Sequence, residues 1–332
     1  MKVLLFLLIS LLAASAIQVG ISDDISIGGL SSGAFMAVQT HVALSKTFRG
    51  AAIFAGGPYY CSMGDLTHGF QNCMADGSGI VLQRLINYLK ANEKSRFVDE
   101  TSNLKDDKVY LFTGTSDNTV HKSVGLKAEE FYKEMGADIM SSFDFEAGHT
   151  MPTEDFGVDC LKSETPFIGS CNLNGALVSL QHLHPHKIFK NSKKHSTSNI
   201  FAIDQNTEGT VMGSKAYAYI PSSCQDSAAR CSLHVVFHGC QQTIENIGMK
   251  YVENTGYNKI AEANDFVILY PQAAVDQTVN PLGCWDWWGY TDRNFATKMG
   301  KQILEVKRLV ELLKSGQVNT SNSNVNQDII KE

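Results

Sequence analysis

The chain has 332 residues, with 28 Lys and Arg against 34 Asp and Glu, and is 43% hydrophobic but only 19% charged. That balance excludes a disordered chain, and 27 Gly with 7 Pro exclude a collagen. A net charge of −6 without a long Lys/Arg block argues against nucleic acid or an anionic membrane as partner. A chain of this length buries most of its surface, so one large α/β domain or two smaller ones would be stable without a metal.

In residues 1–16 (MKVLLFLLISLLAASA) one Lys precedes an apolar run from Val3 to Ala14, and the segment closes on Ala14-Ser15-Ala16, the pattern of a cleaved secretory signal. The apolar run is shorter than the roughly 20 residues that span a bilayer. The sequence therefore predicts export, extracellular or periplasmic, with a mature chain beginning near Ile17. Secretion changes the reading of Cys61, Cys73, Cys160, Cys171, Cys224, Cys231, Cys240 and Cys284. An even number in an oxidising compartment favours four disulfides over thiolate metal sites. Sequence leaves about 105 pairings open. Closeness along the chain suggests Cys61 with Cys73, Cys160 with Cys171 and Cys224 with Cys231, which leaves Cys240 with Cys284.

Strand and helix signals alternate from the first mature residues. Ile25-Ser26-Ile27 reads as a short strand, and Ala34 to Phe48 has helical spacing through Met36, Val38, Val42 and Leu44. Residues 51–55 form a buried-type strand stopped by Gly56-Gly57-Pro58, and a helix follows at about 79–91. A strand at 109–112, a helix at 124–135 and a strand at 139–145 continue the alternation, which implies a mostly parallel sheet covered on both faces. Between 181 and 210 the chain turns polar and reads as a surface loop. Strands are expected at 215–220, 233–237 and 266–269, and an amphipathic helix at 296–315 ends at Gly316. Residues 317–332 read as a disordered tail. No clean linker divides 17–316, so one catalytic domain is expected there.

Gly29-Leu30-Ser31-Ser32-Gly33 matches G-x-S-x-G at a strand-to-helix turn, where a serine hydroxyl is exposed at the C-terminal edge of a sheet. A nucleophilic Ser31 needs a base, and the base needs a group that holds its tautomer. Asp117 follows the strand 109–112 and His149 follows the strand 139–145, so both fall on the edge where Ser31 emerges. The order Ser31, Asp117, His149 is that of an α/β-hydrolase triad. Oxyanion donors are expected at the backbone amide of Ser32 and in His238-Gly239-Cys240, directly after the strand 233–237. This second loop follows the histidine, whereas the usual order places it before the nucleophile.

These segments resemble the extracellular polyhydroxybutyrate depolymerases and related esterases of the α/β-hydrolase superfamily. The resemblance rests on GGLSSGAFMA (28–37), GTSD (114–117), GHTMP (148–152), HGCQQ (238–242), NDFVILYPQAA (264–274) and NPLGCWDWWGY (280–290). Nearly the whole mature chain is covered, and HGC with a later CWDWW is far more specific than G-x-S-x-G. The chain looks like the circularly permuted, fungal-type form, in which the nucleophile comes first and the HGC half last. If helix 296–315 once led into strand 25–27, Ile17 and Gly316 must lie close in space.

The resemblance implies Ser31 as nucleophile, His149 as base and then acid, Asp117 as orienting carboxylate, and the amides of Ser32 and Cys240 as oxyanion hole. It also supports a Cys240–Cys284 bridge, and makes Trp287 or Trp288 a wall that grips methyl-bearing polyester units. Tyr59 and Tyr60 are further candidates for that edge. Implied activity is hydrolysis of poly(3-hydroxybutyrate) or its oligomers by a monomer, with no cofactor and no metal. Gln181-His182-Leu183-His184-Pro185-His186 places three imidazoles close together but reads as plain loop. Two rival readings stand: a secreted carbohydrate esterase of acetylxylan or feruloyl type, and a non-catalytic polymer-binding protein that retains the triad residues.

Overall fold

The computed structural model describes residues 15–320; residues 1–14, which hold most of the expected signal segment, and 321–332 lie outside it. Along the chain, β1 (Ser15–Gln18) and β2 (Ile21–Leu30) lead into α1 (Ser32–Ala43), followed by β3 (Gly50–Phe54), α2 (Leu66–Phe70) and α3 (Leu82–Lys94). Next come β4 (Lys108–Phe112), α4 (Lys122–Glu134) and β5 (Asp138–Ser142), then three short strands, β6 (Met151–Thr153), β7 (Val158–Asp159) and β8 (Ile168–Ser170), and α5 (Gly175–Leu183). The second half adds β9 (Ile200–Asp204), β10 (Lys215–Tyr219) and β11 (Cys231–Phe237), then α6 (Ile244–Ile247), α7 (Lys250–Asn254), α8 (Tyr257–Asn264) and β12 (Phe266–Tyr270). It closes with α9 (Lys301–Lys314) and β13 (Gln317–Thr320).

Eight strands form the central sheet in the order β5-β4-β3-β2-β11-β12-β10-β9. From β5 to β12 every neighbour is parallel, and β10 runs antiparallel to both β12 and β9. Alternation along the strands sorts two cores. Ala51, Ile53, Val109, Leu111, Leu233, Val235, Val267 and Leu269 face the side packed by α1 and α9. Phe54, Tyr110, Phe112, Val236, Ile268 and Tyr270 face the side packed by α5 and α8. Strands buried on both faces read as continuous apolar runs, which is why 51–55 and 233–237 were legible.

The ends of the described segment meet as the permuted order requires. β1 pairs antiparallel with β13, setting Ile17 opposite Val318, and the amide of Val19 donates to the carbonyl of Gly316 at 3.1 Å. The expected disordered tail therefore begins with a strand instead. A four-residue strand is too short to show a period, and its partner lies at the other end of the chain.

Other boundaries shifted by a few residues: the helix expected at 79–91 spans α3, and the helix expected at 296–315 begins only at Lys301. The polar stretch 181–210 is not one loop. Its first residues finish α5, and Ile200–Asp204 is the edge strand β9, held only by β10. An edge strand buries one side and faces solvent with the other, so it carries less apolar sequence. Four disulfides join Cys61–Cys73, Cys160–Cys171, Cys224–Cys231 and Cys240–Cys284, the pairing that closeness along the chain suggests.

Candidate active site

Ser31 stands between β2 and α1 with φ 58° and ψ −124°, a conformation that side chains rarely adopt. Close packing enforces it. A Cβ on Gly29 would lie 2.5 Å from the carbonyl oxygen of Gly33, and one on Gly33 would lie 2.3 Å from that of His238. The two glycines thus let the turn be tight and bring the 238–242 loop against it. Ser31 is anchored on the neighbouring strand by its amide, which donates to the carbonyl of Phe54 at 2.9 Å.

Asp117 lies in the loop after β4 and divides its carboxylate between two tasks. Oδ1 accepts from the amides of Thr119 and Val120 at 2.8 and 2.9 Å, while Oδ2 accepts from His149 Nδ1 at 2.8 Å. With the Nδ1 proton held there, Nε2 of His149 is left as the basic nitrogen. The His149 loop is tethered by its amide to Ser163 Oγ at 2.8 Å, and the Phe167 ring meets the imidazole edge-on at 6.3 Å. Ser31 and His149 line one cleft. Among the described residues no hydrogen bond closes between Ser31 Oγ and His149 Nε2; such contacts commonly tighten when substrate arrives.

The 238–242 loop comes from the other half of the chain. Gly239 is so near Ser31 that a Cβ on it would lie 3.2 Å from Ser31 Cβ. Its amide donates to Gln242 Oε1 at 2.6 Å, and Gln242 Nε2 donates to the carbonyls of Pro166 and Phe167 at 2.7 and 3.2 Å. Gln242 therefore ties this loop to the one beside His149. Beneath it, His238 Nδ1 donates to the Gly239 carbonyl at 2.7 Å, and its Nε2 accepts from the amide of Ala273 at 3.1 Å. That pattern requires a neutral ring, and burial pushes the His238 pKa down to about 4. The amides of Ser32 and Cys240 donate to no protein group among the described residues, and both residues line the cleft.

Trp287 and Trp288 form one wall of the cleft, with their rings edge-on at 5.6 Å. Trp287 stacks on Phe35 of α1 at 4.6 Å, so the wall is indexed to the helix that follows Ser31. Two further bonds fix the segment: Trp285 N donates to Ser32 Oγ at 3.2 Å, and Gln39 Nε2 donates to the Asp286 carbonyl at 3.0 Å. The buried Asp286 carboxylate folds the loop around itself, accepting the amides of Gly289, Tyr290 and Thr291; burial raises its pKa. Trp285 faces away into the core against Phe237. Tyr59 and Tyr60 do not reach the cleft. Tyr59 is buried with its hydroxyl on the Ala296 carbonyl, and Tyr60 stacks on Tyr88.

Sequence reasoning missed Phe35, Gln242, Ser163 and the mouth residues Leu66, Phe70, Val279 and Leu282, which are exposed yet line the cleft. A position-by-position reading had no means to find them, because each acts through contacts between distant segments. The exception is Gln242, whose place in HGCQQ was visible.

A strained serine turn between strand and helix, on a mostly parallel sheet with an Asp-held His at the same edge, defines an α/β-hydrolase. No protein-family model matches the chain. Over 311 residues it is 35% identical to the polyhydroxybutyrate depolymerase of Talaromyces funiculosus, covering 89% of this chain and 90% of that one. Over 302 residues it is 38% identical to the poly(3-hydroxybutyrate) depolymerase of Delftia acidovorans, covering 89% of this chain but only 60% of the relative's length. The crystal structure of the PHB depolymerase from Penicillium funiculosum superposes with a TM-score of 0.82 at 32% identity, covering 90% of this chain and 98% of that chain. A serine-to-alanine PHB depolymerase complexed with an R3HB trimer matches with the same score and identity over 92% of this chain and 99% of its own. The chain belongs to the polyhydroxybutyrate depolymerase family.

Proposed function

We propose that the protein is a serine esterase that hydrolyses poly(3-hydroxybutyrate) or its oligomers. Ser31 Oγ attacks the ester carbonyl and gives its proton to His149 Nε2, while Asp117 holds Nδ1 and steadies the imidazolium. The amides of Ser32 and Cys240 receive the oxyanion. His149 then protonates the departing alkoxide oxygen, which leaves as the alcohol, and a water activated by the same nitrogen cleaves the acyl-enzyme, releasing the acid and restoring Ser31. No cofactor takes part in these steps.

The cleft lining carries the choice of substrate. It encloses about 380 Å³, and among the described residues no Asp, Glu, Lys or Arg lines it. Phe35, Trp287 and Trp288 offer apolar surface to methyl-bearing units, and the exposed Leu66, Phe70, Val279 and Leu282 extend that surface to the mouth. A neutral polyester suits such a site. An acetylated or feruloylated sugar would find few polar partners beyond Thr119, Ser163, Gln241 and Asn280, and each hydroxyl left unpaired would cost about 1–3 kcal/mol. Four disulfides suit an oxidising compartment, and we read the protein as exported and active as a monomer.

Purified protein should clear a poly(3-hydroxybutyrate) suspension and cleave hydroxybutyrate oligomers in preference to acetylated or feruloylated sugars. Turnover of the sugars alone would overturn the polyester reading. Failure of a fluorophosphonate to label Ser31 would favour the non-catalytic polymer binder.

A further inference from the structure

The histidine run at 182–186 is not plain loop. His182 points its Nε2 at the carbonyl of Asp138, whereas His184 and His186 converge on Asp24 at the end of β2 opposite Ser31. His184 Nδ1 lies 3.0 Å from each Asp24 carboxylate oxygen and His186 Nε2 lies 3.2 Å from Oδ2, and the three ligand atoms all fall within 4.8 Å of one another. In a tetrahedral zinc site with bonds of 2.0–2.1 Å, ligand atoms stand about 3.3 Å apart. The two imidazole nitrogens, within 4.8 Å of one another, would close by as much as about 1.5 Å to reach that spacing, a movement open to the exposed His186 side chain.

The surroundings are built for one. Asp24 Oδ2 also accepts from Ser232 Oγ at 2.5 Å, which fixes the carboxylate with His184 Nδ1 equidistant from its two oxygens and His186 Nε2 facing Oδ2. His184 is buried, and its far nitrogen, Nε2, lies 2.8 Å from Ser26 Oγ, which in turn lies 2.7 Å from His234 Nδ1. With the Nδ1 lone pair on a metal, Nε2–H donates to Ser26 and the Ser26 hydroxyl to His234. Such outer partners aim a ligating imidazole. The His186 side chain is 61% exposed, which leaves a route of entry and room for water as a further ligand.

We propose that Asp24, His184 and His186 form a binding site for a transition-metal dication, separate from the esterase centre. Two imidazoles and one carboxylate suit zinc, nickel or copper and exclude magnesium and calcium as preferred ions.

The test is calorimetric titration of zinc chloride into purified protein stripped by EDTA and then freed of chelator. One saturable site per chain is expected, with a higher unfolding temperature in excess zinc. His186→Ala, a change at an exposed side chain, should weaken zinc binding at least tenfold while ester turnover stays unchanged. His182→Ala, in the same run but outside the cluster, should bind like the wild type. Absence of a saturable site would overturn the proposal. So would equal binding by wild type and His186→Ala, or equal losses in the His182 and His186 variants, since these would mark unspecific surface histidines.

Discussion

The protein contains two Ser-His-Asp arrangements, one around each end of β2. At the C-terminal end, Asp117 holds His149 Nδ1 at 2.8 Å and Ser31 shares a cleft with that imidazole. Near the N-terminal end, Asp24 holds His184 Nδ1 at 3.0 Å and His184 Nε2 already lies 2.8 Å from Ser26 Oγ. Judged by hydrogen bonds alone, the second set is the more complete. Yet Ser26 is sealed inside the sheet at 1% exposure, its hydroxyl is shared with His234, and its backbone is part of the strand. Ser31 sits on a strained turn that lines a mostly apolar cleft, beside two amides with no protein partner among the described residues. A triad is therefore made by access and oxyanion donors as much as by its three side chains.

Ser31→Ala separates the two arrangements most strongly. It should lower ester turnover by at least about 10⁴-fold while circular dichroism and the unfolding midpoint stay those of the wild type. Substantial residual turnover would transfer the chemistry elsewhere, with Ser26 the first suspect.

Acid should strike both regions, because each rests on a buried neutral imidazole. Burial pushes His238 from 6.5 to about 4 and holds His234 well below its usual value. As pH falls below 6.5, the unfolded chain takes up protons that the native chain refuses, so stability declines down to pH 4 and is level above that window. His238 alone should cost about 2–3 kcal/mol by pH 4.5. Urea midpoints at pH 7.5 and 4.5 measure it, and equal midpoints would show that both rings accept protons in the native state.

Gln242→Ala tests how the active region is wired across the two halves of the chain. Without the amide, Gly239 N and the carbonyls of Pro166 and Phe167 lose their common partner. A displaced oxyanion donor should lower kcat about 10- to 100-fold with little change in KM. A change confined to KM would instead make Gln242 a substrate contact.

Ser26→Ala should have the smallest effect on function. We expect kcat/KM within about twofold of wild type and a loss of about 1–3 kcal/mol in stability from the stranded imidazole nitrogens. Loss of activity without loss of stability would show that the buried set takes part in the chemistry.

Much of the candidate active region was legible because its residues lie in short segments. Gly29, Ser31 and Gly33 announce a tight turn after a strand, Asp117 and His149 each follow an apolar run, and His238-Gly239-Cys240 follows another. Parallel strands place all these loops at one edge of the sheet, so chain order alone implied their meeting. What stayed hidden depends on contacts between distant segments. Tyr59 and Tyr60 looked like cleft aromatics but pack inward against Phe131 and Tyr88. The pairing of β13 with β1, and of His184 with Asp24, joins residues about three hundred and 160 positions apart.

By itself, then, the sequence determined the α/β alternation, the serine turn and the identity of the Asp-held histidine, since local backbone preference and strand periodicity act over a few residues. It also proposed the four cysteine pairs, through short spacing for three and through family resemblance for the fourth. Tertiary structure alone decided which of two Ser-His-Asp sets opens on a cleft, which aromatics wall it, and how a histidine run is divided. Those outcomes depend on where distant chain segments meet and on how much water each meeting excludes, quantities that no local pattern encodes.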